Sequence, residues 1–228
     1  PDRAKADIGI VLDDCFFSEY LRVKDVNSVL SRVFKTWDKG LYRDYLDKFG
    51  LSGAKNIKEL SRGMRMKLSL AAALAHRPRL LLLDEATAGL DPVVREEILD
   101  EFLAFVSDED HAILISSHIT SDLEKVADYI AYLHQGKLLL CDEKDRLLES
   151  YGRLVCAREE LEQVDRGYLV SIRKSQYSTE ALIRRRGDFK RLYPKLTVEP
   201  MTLDELMMED PAERCQREKG PQMGGLAQ

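Results

Sequence analysis

Residues 80–85 read Leu80-Leu81-Leu82-Leu83-Asp84-Glu85, four apolar side chains followed at once by two acids. A short, wholly apolar run is typical of a central strand that is covered on both faces of a parallel sheet. Carboxylates at the carboxyl end of such a strand lie where α/β folds bind their ligands. The stretch predicts an α/β fold with a candidate site at its end. Taken alone, it fits equally well an ordinary strand that leaves the core through two solvated acids.

Similar patterns on both sides of this stretch predict further strands. Residues 8–12 and 112–115 are apolar runs of strand length, which fits strands buried in a sheet. Residues 129–133 and 137–141, joined through Gln135-Gly136, predict a hairpin. Because strands and helices alternate along the chain, we expect an α/β sheet that is mainly parallel and has an antiparallel edge.

Helix signals fall between the predicted strands. Ser61 is a suitable N-cap for a helix with apolar residues at helical spacing. Pro78 ends that helix, because the residue before a proline resists the helical region. Asp91 caps another helix, with Pro92 at its first position. Two more helices are predicted at residues 26–49, interrupted near Gly40, and after Ser121, which has capping-box spacing with Glu124.

The composition limits the class of protein. With 44% hydrophobic and 33% charged residues among 228, the chain has enough apolar residues for a packed core and is not a disordered chain. The net charge of -5 argues against a general basic surface for nucleic acid. No apolar run approaches the roughly 18 residues that span a bilayer. The cysteines lie far apart, so neither a zinc site nor a disulfide framework is expected; they are Cys15, Cys141, Cys156 and Cys215.

The character of the sequence changes after about residue 151. Charged residues become denser, one further strand is predicted at residues 168–172, and an arginine cluster follows at residues 184–186. The cluster fits a solvated helix face better than a contact with anionic lipid. From about residue 211 the chain is polar and rich in Gly, Pro and Gln, which predicts a poorly ordered tail.

The two acids after the apolar run suit phosphate chemistry. Asp84 can hold the water shell of Mg²⁺, a hard cation that prefers oxygen ligands. Glu85 points in a different direction, since it is one residue further on, and can polarise a water for attack on a phosphate. Asp84 is therefore a candidate metal ligand, and Glu85 is a candidate catalytic base.

Three other short motifs carry weaker signals. Ser61 and Gly63 open a helix, where free N–H groups attract phosphate, although a capped amphipathic helix is the favoured explanation of that motif alone. Asp91 ends the turn at residues 88–91, which helix capping also explains. His118 follows the strand at 112–115, and a lone histidine is more often structural than catalytic. The order of all the motifs favours function, because each lies at a strand's carboxyl end or a helix start.

With these motifs, the sequence resembles the ATP-binding subunit of an ABC transporter over about residues 3–150. Residues 60–64 match the family signature Leu-Ser-Gly-Gly-Gln at Leu, Ser and the second Gly. Residues 80–85 match Walker B with its catalytic glutamate, residues 88–91 match the D-loop, and His118 matches the switch histidine. The sequences at residues 60–68 and 116–119 are similar to those of the ABC-2 type export subfamily, which comprises bacterial drug, bacteriocin and antibiotic-response exporters. Residues 202–207 resemble a short motif near the end of such subunits.

The sequence departs from the family pattern at three places. The Walker A loop, Gly-x-x-x-x-Gly-Lys-Ser/Thr, does not occur in it. In the family this loop lies upstream of the first strand, so we expect the sequence to be N-terminally truncated. Asp13 stands where the Q-loop glutamine is expected, and an acidic side chain there suits the Mg²⁺ shell. Arg62, Met64 and Ala86 replace the commoner Gly, Gln and Pro, which should alter affinity more than chemistry.

The resemblance implies a P-loop-type ABC ATPase core of α/β class, with a mostly parallel sheet, a helical subdomain and a small C-terminal appendage. Residues 1–150 would form the partial ATPase domain, with the helical subdomain at about 18–78 and the catalytic core at about 79–150. Residues 151–210 would form the accessory subdomain, and residues 211–228 the disordered tail.

The resemblance also implies how the site works. ATP with Mg²⁺ would be sandwiched in a head-to-tail dimer of two ATP-binding subunits. Such a dimer would energise an exporter through a transmembrane permease, as a peripheral protein at the cytoplasmic face of a bacterial membrane, with no nucleic acid as partner. The metal ligand would be Asp84, and the catalytic residues would be Glu85 and His118. The nucleotide-binding residues would be Ser61, Gly63, Asp91 and Asp13. Of these, Ser61 and Gly63 would face a nucleotide held mainly by the second subunit, and Asp91 would bridge the two sites.

Two other classes of protein stay open. A non-transport ABC ATPase acting on nucleic acid would show long heptad arms or tandem cassettes, and the sequence shows neither. A non-hydrolysing ABC-like interaction or regulatory module would explain the missing Walker A loop, provided that the native chain starts at Pro1.

Overall fold

The computed structural model describes residues 6–174 and 179–208, which belong to two compact units. The boundary between the units falls between Asp122 and Leu123, inside a helix. The ATPase core predicted from the sequence extends further, to about residue 150. The predicted domain limits stay a prediction, because they follow from the resemblance to a family, whereas the two units are defined by their compactness. The tail predicted at residues 211–228 lies outside the described residues.

A parallel sheet of three strands forms the centre of the first unit. Its strands are β1 (Ile8–Val11), β2 (Leu80–Asp84) and β3 (Ala112–Ser116), in the order β1-β2-β3. The apolar run of β2 is central, as its sequence predicts. Asp84 is the register partner of Ser116. All three strands end at the same edge, which therefore collects the polar residues that follow them.

The two faces of this sheet differ in exposure. On one face, Leu81 and Leu83 are buried, with exposed fractions of 0% and 3%. The other face carries Ile10, Leu82 and Leu114 in one cross-strand row, where Ile10 is 57% and Leu114 is 67% exposed. We call this row the open face. The sequence predicts that β2 is covered on both faces, and for the open face that prediction is wrong within the described residues.

Two long helices of the first unit start at the predicted caps. They are α3 (Arg62–Leu74) and α4 (Pro92–Val106). The Ser61 hydroxyl accepts the Met64 N–H at 3.2 Å, and the Asp91 carboxylate accepts the Val94 N–H at 3.1 Å. Each cap satisfies a backbone donor that the helix itself leaves unpaired.

The helix predicted at residues 26–49 is two helices, α1 (Val23–Leu30) and α2 (Lys39–Lys48). The break precedes Asp38 and does not lie near Gly40, because the Asp38 carboxylate caps α2 by accepting the N–H groups of Gly40 and Leu41, both at 2.9 Å. The two helices are joined by Tyr42, which is buried and whose hydroxyl donates to the Val23 carbonyl at 2.8 Å.

The helix after β3 also starts differently from the prediction. It is α5 (Thr120–Val126), so Ser121 lies inside it and is not its N-cap. The Ser121 hydroxyl accepts a hydrogen bond from Arg95 Nη2 at 2.7 Å, and the Glu124 carboxylate accepts one from the Leu203 N–H. The two side chains that suggested a capping box are therefore used in other contacts.

The second unit begins with the predicted hairpin, β4 (Tyr129–His134) and β5 (Lys137–Glu143). Its turn residues Gln135 and Gly136 have φ of 48° and 73°, the left-handed backbone that a tight hairpin turn requires. The hairpin forms a two-stranded sheet of its own. It is thus not the antiparallel edge of the parallel sheet that the sequence predicts.

The second unit also contains an antiparallel sheet of four strands, β6 (Tyr151–Cys156), β7 (Leu169–Lys174), β8 (Thr179–Arg184) and β9 (Val198–Glu199). Their order in the sheet is β7-β8-β6-β9. In β8, Ala181 and Ile183 belong to one buried apolar cluster, and Leu182 between them belongs to another. The sheet is therefore covered on both faces. The helices of this unit are α6 (Lys144–Ser150), α7 (Arg158–Leu161), α8 (Arg186–Leu192) and α9 (Leu203–Met208). In the described part of the chain, no helix combines the length and the apolar character needed to cross a membrane.

Candidate functional site

The ends of β2 and β3 place Asp84 beside Ser116. The Ser116 hydroxyl donates to Asp84 Oδ1 at 2.5 Å, and the Glu85 N–H donates to the Ser116 carbonyl at 3.0 Å. The pairing of the two strands thus continues one residue past β2. Asp84 is exposed, and its carboxylate is oriented by the serine while it faces solvent. Such a carboxylate is available to a cation or to the water shell of one.

Glu85 and His118 form a close pair although 33 positions separate them in the sequence. Glu85 Oε2 lies 2.6 Å from His118 Nδ1. Because a carboxylate only accepts, this geometry puts a proton on Nδ1. The pair is open to solvent, since 32% of the Glu85 side chain and 71% of the His118 side chain are exposed. The structure thus joins the predicted base to the predicted histidine.

The backbone of Glu85 lies in the left-handed region, with φ of 51°. For a residue with a Cβ atom this conformation costs roughly 1–2 kcal/mol. Its neighbours hold it there, because the Glu85 carbonyl accepts the Ala88 N–H at 3.0 Å and its own N–H is bonded to Ser116. Strained backbone of this kind is concentrated at functional sites.

The start of α3 packs on the loop that follows the two acids. A Cβ atom on Gly63 would meet Val94 Cγ1 at 3.0 Å, so the glycine lets α3 approach α4 closely. Gly89 has φ of 67°, and the Arg62 guanidinium carbon lies 3.3 Å from the point where its Cβ would be. Close packing of α3 against α4 is therefore a sufficient reason for glycine at position 63, whether or not Gly63 also contacts phosphate. Arg62 covers the loop at Gly89, at a position where the family signature has glycine.

Asp13 follows β1 at the same edge of the sheet as Asp84. It lines a pocket of about 230 Å³ together with Arg62, Arg65 and other residues of that region. The predicted Q-loop position therefore shares a pocket with the start of α3. Asp14, the next residue, accepts the Cys15 N–H at 2.8 Å. The rest of the pocket lining is Asp14, Cys15, Met66 and Ser69.

Asp84 is not part of a preformed cluster of metal ligands in the part of the chain that the structure describes. Within residues 6–174 and 179–208, no group of three or more His, Cys, Asp or Glu side chains is arranged to hold a metal ion. Mg²⁺ is commonly held by one or two carboxylates together with waters and the phosphates of a substrate. Asp84, oriented by Ser116, fits that shared mode of binding and does not form a complete metal site by itself.

A buried charged group beside the site was missed from the sequence. Asp122, four positions after His118, is 1% exposed and accepts hydrogen bonds from Thr87 Oγ1 at 2.6 Å and from Arg95 Nε at 2.7 Å. In the sequence an acid at this position resembles an ordinary first-turn residue of a helix. Ser116 was also missed as the partner of Asp84, although its place directly after an apolar run was a usable signal.

Known proteins match the chain over these same motifs. Residues 2–88 match the family model of the ABC transporter. The ABC transporter ATP-binding protein YtrB of Bacillus subtilis (strain 168) is 30% identical over 207 residues, which are 85% of this chain and 68% of YtrB. The chain belongs to the ABC transporter family of ATP-binding proteins. Members of this family bind ATP, generally together with Mg²⁺.

Two further relatives of the ABC transporter family match a smaller part of the chain. The lantibiotic transport ATP-binding protein SrtF of Streptococcus pyogenes is 41% identical over 102 residues, 44% of each chain. The bacitracin transport ATP-binding protein BcrA of Bacillus licheniformis is 32% identical over 134 residues, 58% of this chain and 44% of BcrA. The matches thus span less than half the length of these two relatives.

A solved structure confirms the fold class. It is described as an ATP-binding subunit of an ABC transporter, and its TM-score is 0.54 at 21% sequence identity. The match covers 63% of this chain and 61% of that chain. Together with the mostly parallel arrangement of β1, β2 and β3, this confirms the α/β fold of ABC ATPases that the sequence predicts.

Proposed function

We propose that the chain is the ATP-binding and ATP-hydrolysing subunit that energises an ABC exporter. The observation that carries the proposal is the 2.6 Å contact between Glu85 and His118, beside the solvent-facing carboxylate of Asp84. A base, a group that orients it and an acid suited to a cation then lie at one edge of a parallel sheet. This arrangement suits attack of water on a terminal phosphate.

In the proposed reaction, Glu85 accepts a proton from water as the water oxygen bonds to the terminal phosphorus and the bond to the bridging oxygen breaks. His118 holds the Glu85 carboxylate in place through Nδ1. Asp84, oriented by Ser116, would hold Mg²⁺, which when bound counters the charge of the phosphates. Most of the catalytic effect in such reactions comes from positioning and from countering charge.

We propose that Ser61 and Gly63, at the start of α3, face a nucleotide held mainly by a second ATP-binding subunit in a head-to-tail dimer. N–H groups at a helix start favour phosphate. Asp91 would lie between the two sites, and Asp13 would act at the Q-loop position.

SrtF and BcrA are named for lantibiotic and bacitracin transport, which supports an exporter rather than another kind of ABC protein. On this proposal the partner is a transmembrane permease at the cytoplasmic face of a bacterial membrane. The net charge of -5 supports the expectation that nucleic acid is not a partner.

The missing phosphate loop gives a first test. We expect the 228-residue chain by itself to bind ATP weakly or not at all, because its Glu85 and Asp84 act on phosphates without cradling them. Isothermal titration calorimetry with ATP and Mg²⁺ measures this directly. A dissociation constant in the micromolar range for the chain alone would contradict the expectation that these 228 residues lack the groups that hold the phosphates.

Substitution of the base gives the second test. In the complete protein, assembled with the second subunit and the permease, Glu85→Gln should trap ATP without turnover, because the amide cannot take the proton. Asp110→Asn is the matched control, since that acid is 79% exposed and pairs with Arg79 near the amino ends of β2 and β3, opposite to the end that carries Glu85. Unaltered hydrolysis by Glu85→Gln would refute the assignment of the base.

A non-hydrolysing ABC-like interaction or regulatory module is the second candidate. The same assembly separates the two candidates. If the complete wild-type protein joins the permease but the assembly hydrolyses no ATP, the second candidate is correct and the first is wrong.

A further inference from the structure

Asp122 is a carboxylate buried at the end of the first unit, with 1% of its surface exposed. Both of its oxygens are used. Oδ2 accepts the Thr87 hydroxyl at 2.6 Å, and Oδ1 accepts Arg95 Nε at 2.7 Å. The guanidinium of Arg95 also pairs with the same carboxylate through Nη2, which donates to the Ser121 hydroxyl as well. We call Asp122, Thr87 and Arg95 the buried triad.

The buried triad joins three segments that carry candidate site residues. Thr87 lies two residues after Glu85. Arg95 is in the first turns of α4, and its N–H donates to the carbonyl of the capping Asp91 at 2.9 Å. Asp122 lies in α5, four residues after His118. One carboxylate therefore holds together the stretches that bear the proposed base, the proposed bridging acid and the histidine.

The pair of Glu85 and His118 is too exposed to fix its own geometry. Exposed ion pairs contribute little to stability, because water and salt screen them and long side chains lose entropy. Glu85 also holds a strained backbone, which persists only where the surroundings determine it. Hydrogen bonds to a buried charge are stronger and more directional than exposed ones. The buried triad, which includes Thr87 two residues after Glu85, adds such bonds to those that the Glu85 backbone makes with Ala88 and Ser116.

We propose that Asp122 is a positioning residue, which through Thr87 and Arg95 holds the segment of His118 in register with Glu85. The inference rests on the proposed function of that pair. Asp122 does not touch the reacting atoms, and its effect on turnover is transmitted by the distance between Glu85 Oε2 and His118 Nδ1. A carboxylate retained for geometry in this way is a known use of buried charges.

The experiment is nitrogen-15 NMR of the histidine rings in the 228-residue chain. The chain has four histidines, so three of them serve as internal references. In the wild type, we expect the His118 Nδ1 signal of a ring nitrogen that carries a fixed proton hydrogen-bonded to a carboxylate. Asp122→Asn keeps the side-chain shape and removes the charge. It should move this signal to the average of two exchanging tautomers, as Glu85→Gln should.

Two variants make the test specific. Thr87→Val keeps the shape of the side chain and the ion pair of Asp122 with Arg95, so it tests the transmission if Asp122→Asn does not fold. We expect it to shift the same His118 signal. Asp110→Asn, which breaks an exposed pair with Arg79, should leave that signal unchanged. In the full transporter assembly, Asp122→Asn should lower kcat roughly tenfold while KM for ATP changes less than about twofold.

The outcomes separate this inference from the proposed function. If Asp122→Asn or Thr87→Val folds with a lower melting temperature but leaves the His118 signal at its wild-type position, the buried triad is structural only and the inference is wrong. Turnover by Glu85→Gln tests the proposed function independently of Asp122. A wild-type His118 signal without a fixed Nδ1 proton would overturn the inference at its starting point.

Discussion

The backbone of Glu85 allows a test of site strain that needs no nucleotide. With φ of 51°, an L-residue pays roughly 1–2 kcal/mol there, whereas glycine adopts this region freely. Glycine in turn loses more entropy on folding, which costs about 0.5–1 kcal/mol relative to alanine. Glu85→Gly should therefore be more stable than Glu85→Ala by roughly 0.5–1 kcal/mol. Both variants remove the carboxylate and its contact with His118, so their difference isolates the backbone.

The control is the same pair of residues in an ordinary helix. Ala104 is exposed in α4, so Ala104→Gly should lower the free energy of unfolding by about 1 kcal/mol. Urea unfolding of all three variants, extrapolated to water, gives the two differences on one scale. The order of alanine and glycine should thus be reversed between positions 85 and 104. If Glu85→Ala is at least as stable as Glu85→Gly, the left-handed backbone at the site is not a source of strain.

Three other predictions concern the first unit. Gly9→Ala should lower the free energy of unfolding by about 1–3 kcal/mol, because the new Cβ would lie 2.7 Å from Leu81 Cδ2; urea unfolding at wild-type stability would contradict this. Burial lowers the pKa of His76 from its usual 6.5, so the unfolded chain takes up the proton first and stability should fall as the pH drops below about 6.5. His76→Gln should flatten that dependence, and melting temperatures from pH 8 to 5 that fall equally in both proteins would exclude His76 as the cause. Tyr42→Phe leaves the buried Val23 carbonyl without its 2.8 Å donor and should lower the free energy of unfolding by about 1–3 kcal/mol. A melting temperature equal to that of the wild type would disprove this.

The centre of the first unit follows from local rules and could be predicted from the sequence. Central strands of a parallel sheet are continuously apolar, which is why the run before Asp84 identifies β2 as the central strand, although its open face is only half-buried. Helix caps depend on single side chains, so Ser61 and Asp91 were placed correctly. The break before α2 was misplaced because Asp38 is an equally good cap and Gly40 attracted the prediction instead.

The contacts of the site depend on residues that are distant in the sequence. Glu85 and His118 were each identified, but their contact follows from the register of β2 with β3. The buried triad was missed because Asp122, Thr87 and Arg95 come from three segments, and each has an ordinary local explanation.

In the second unit, the hairpin and the strand at residues 168–172, which is β7, were predicted from the sequence. The strands β6 and β8 were not predicted, because they carry charges. Arg153 lies inside β6, where its guanidinium pairs with Glu199 at 2.7 Å and with Glu205 at 3.1 Å. Such a strand lacks the clean alternation that identifies a strand. The arginines that suggested a solvated helix face stand at the junction of β8 and α8. There, Arg184 Nε donates to the Gly167 carbonyl at 2.9 Å.

The open face of the parallel sheet has a practical consequence for anyone who handles this chain. Ile10 and Leu114 present aliphatic side chains to water from adjoining positions, with Leu82 between them. Such a strip attracts detergent, fluorescent hydrophobic dyes and other copies of the same molecule. Concentrated preparations should therefore scatter light increasingly with concentration, and mild detergent should suppress that scattering without unfolding the protein.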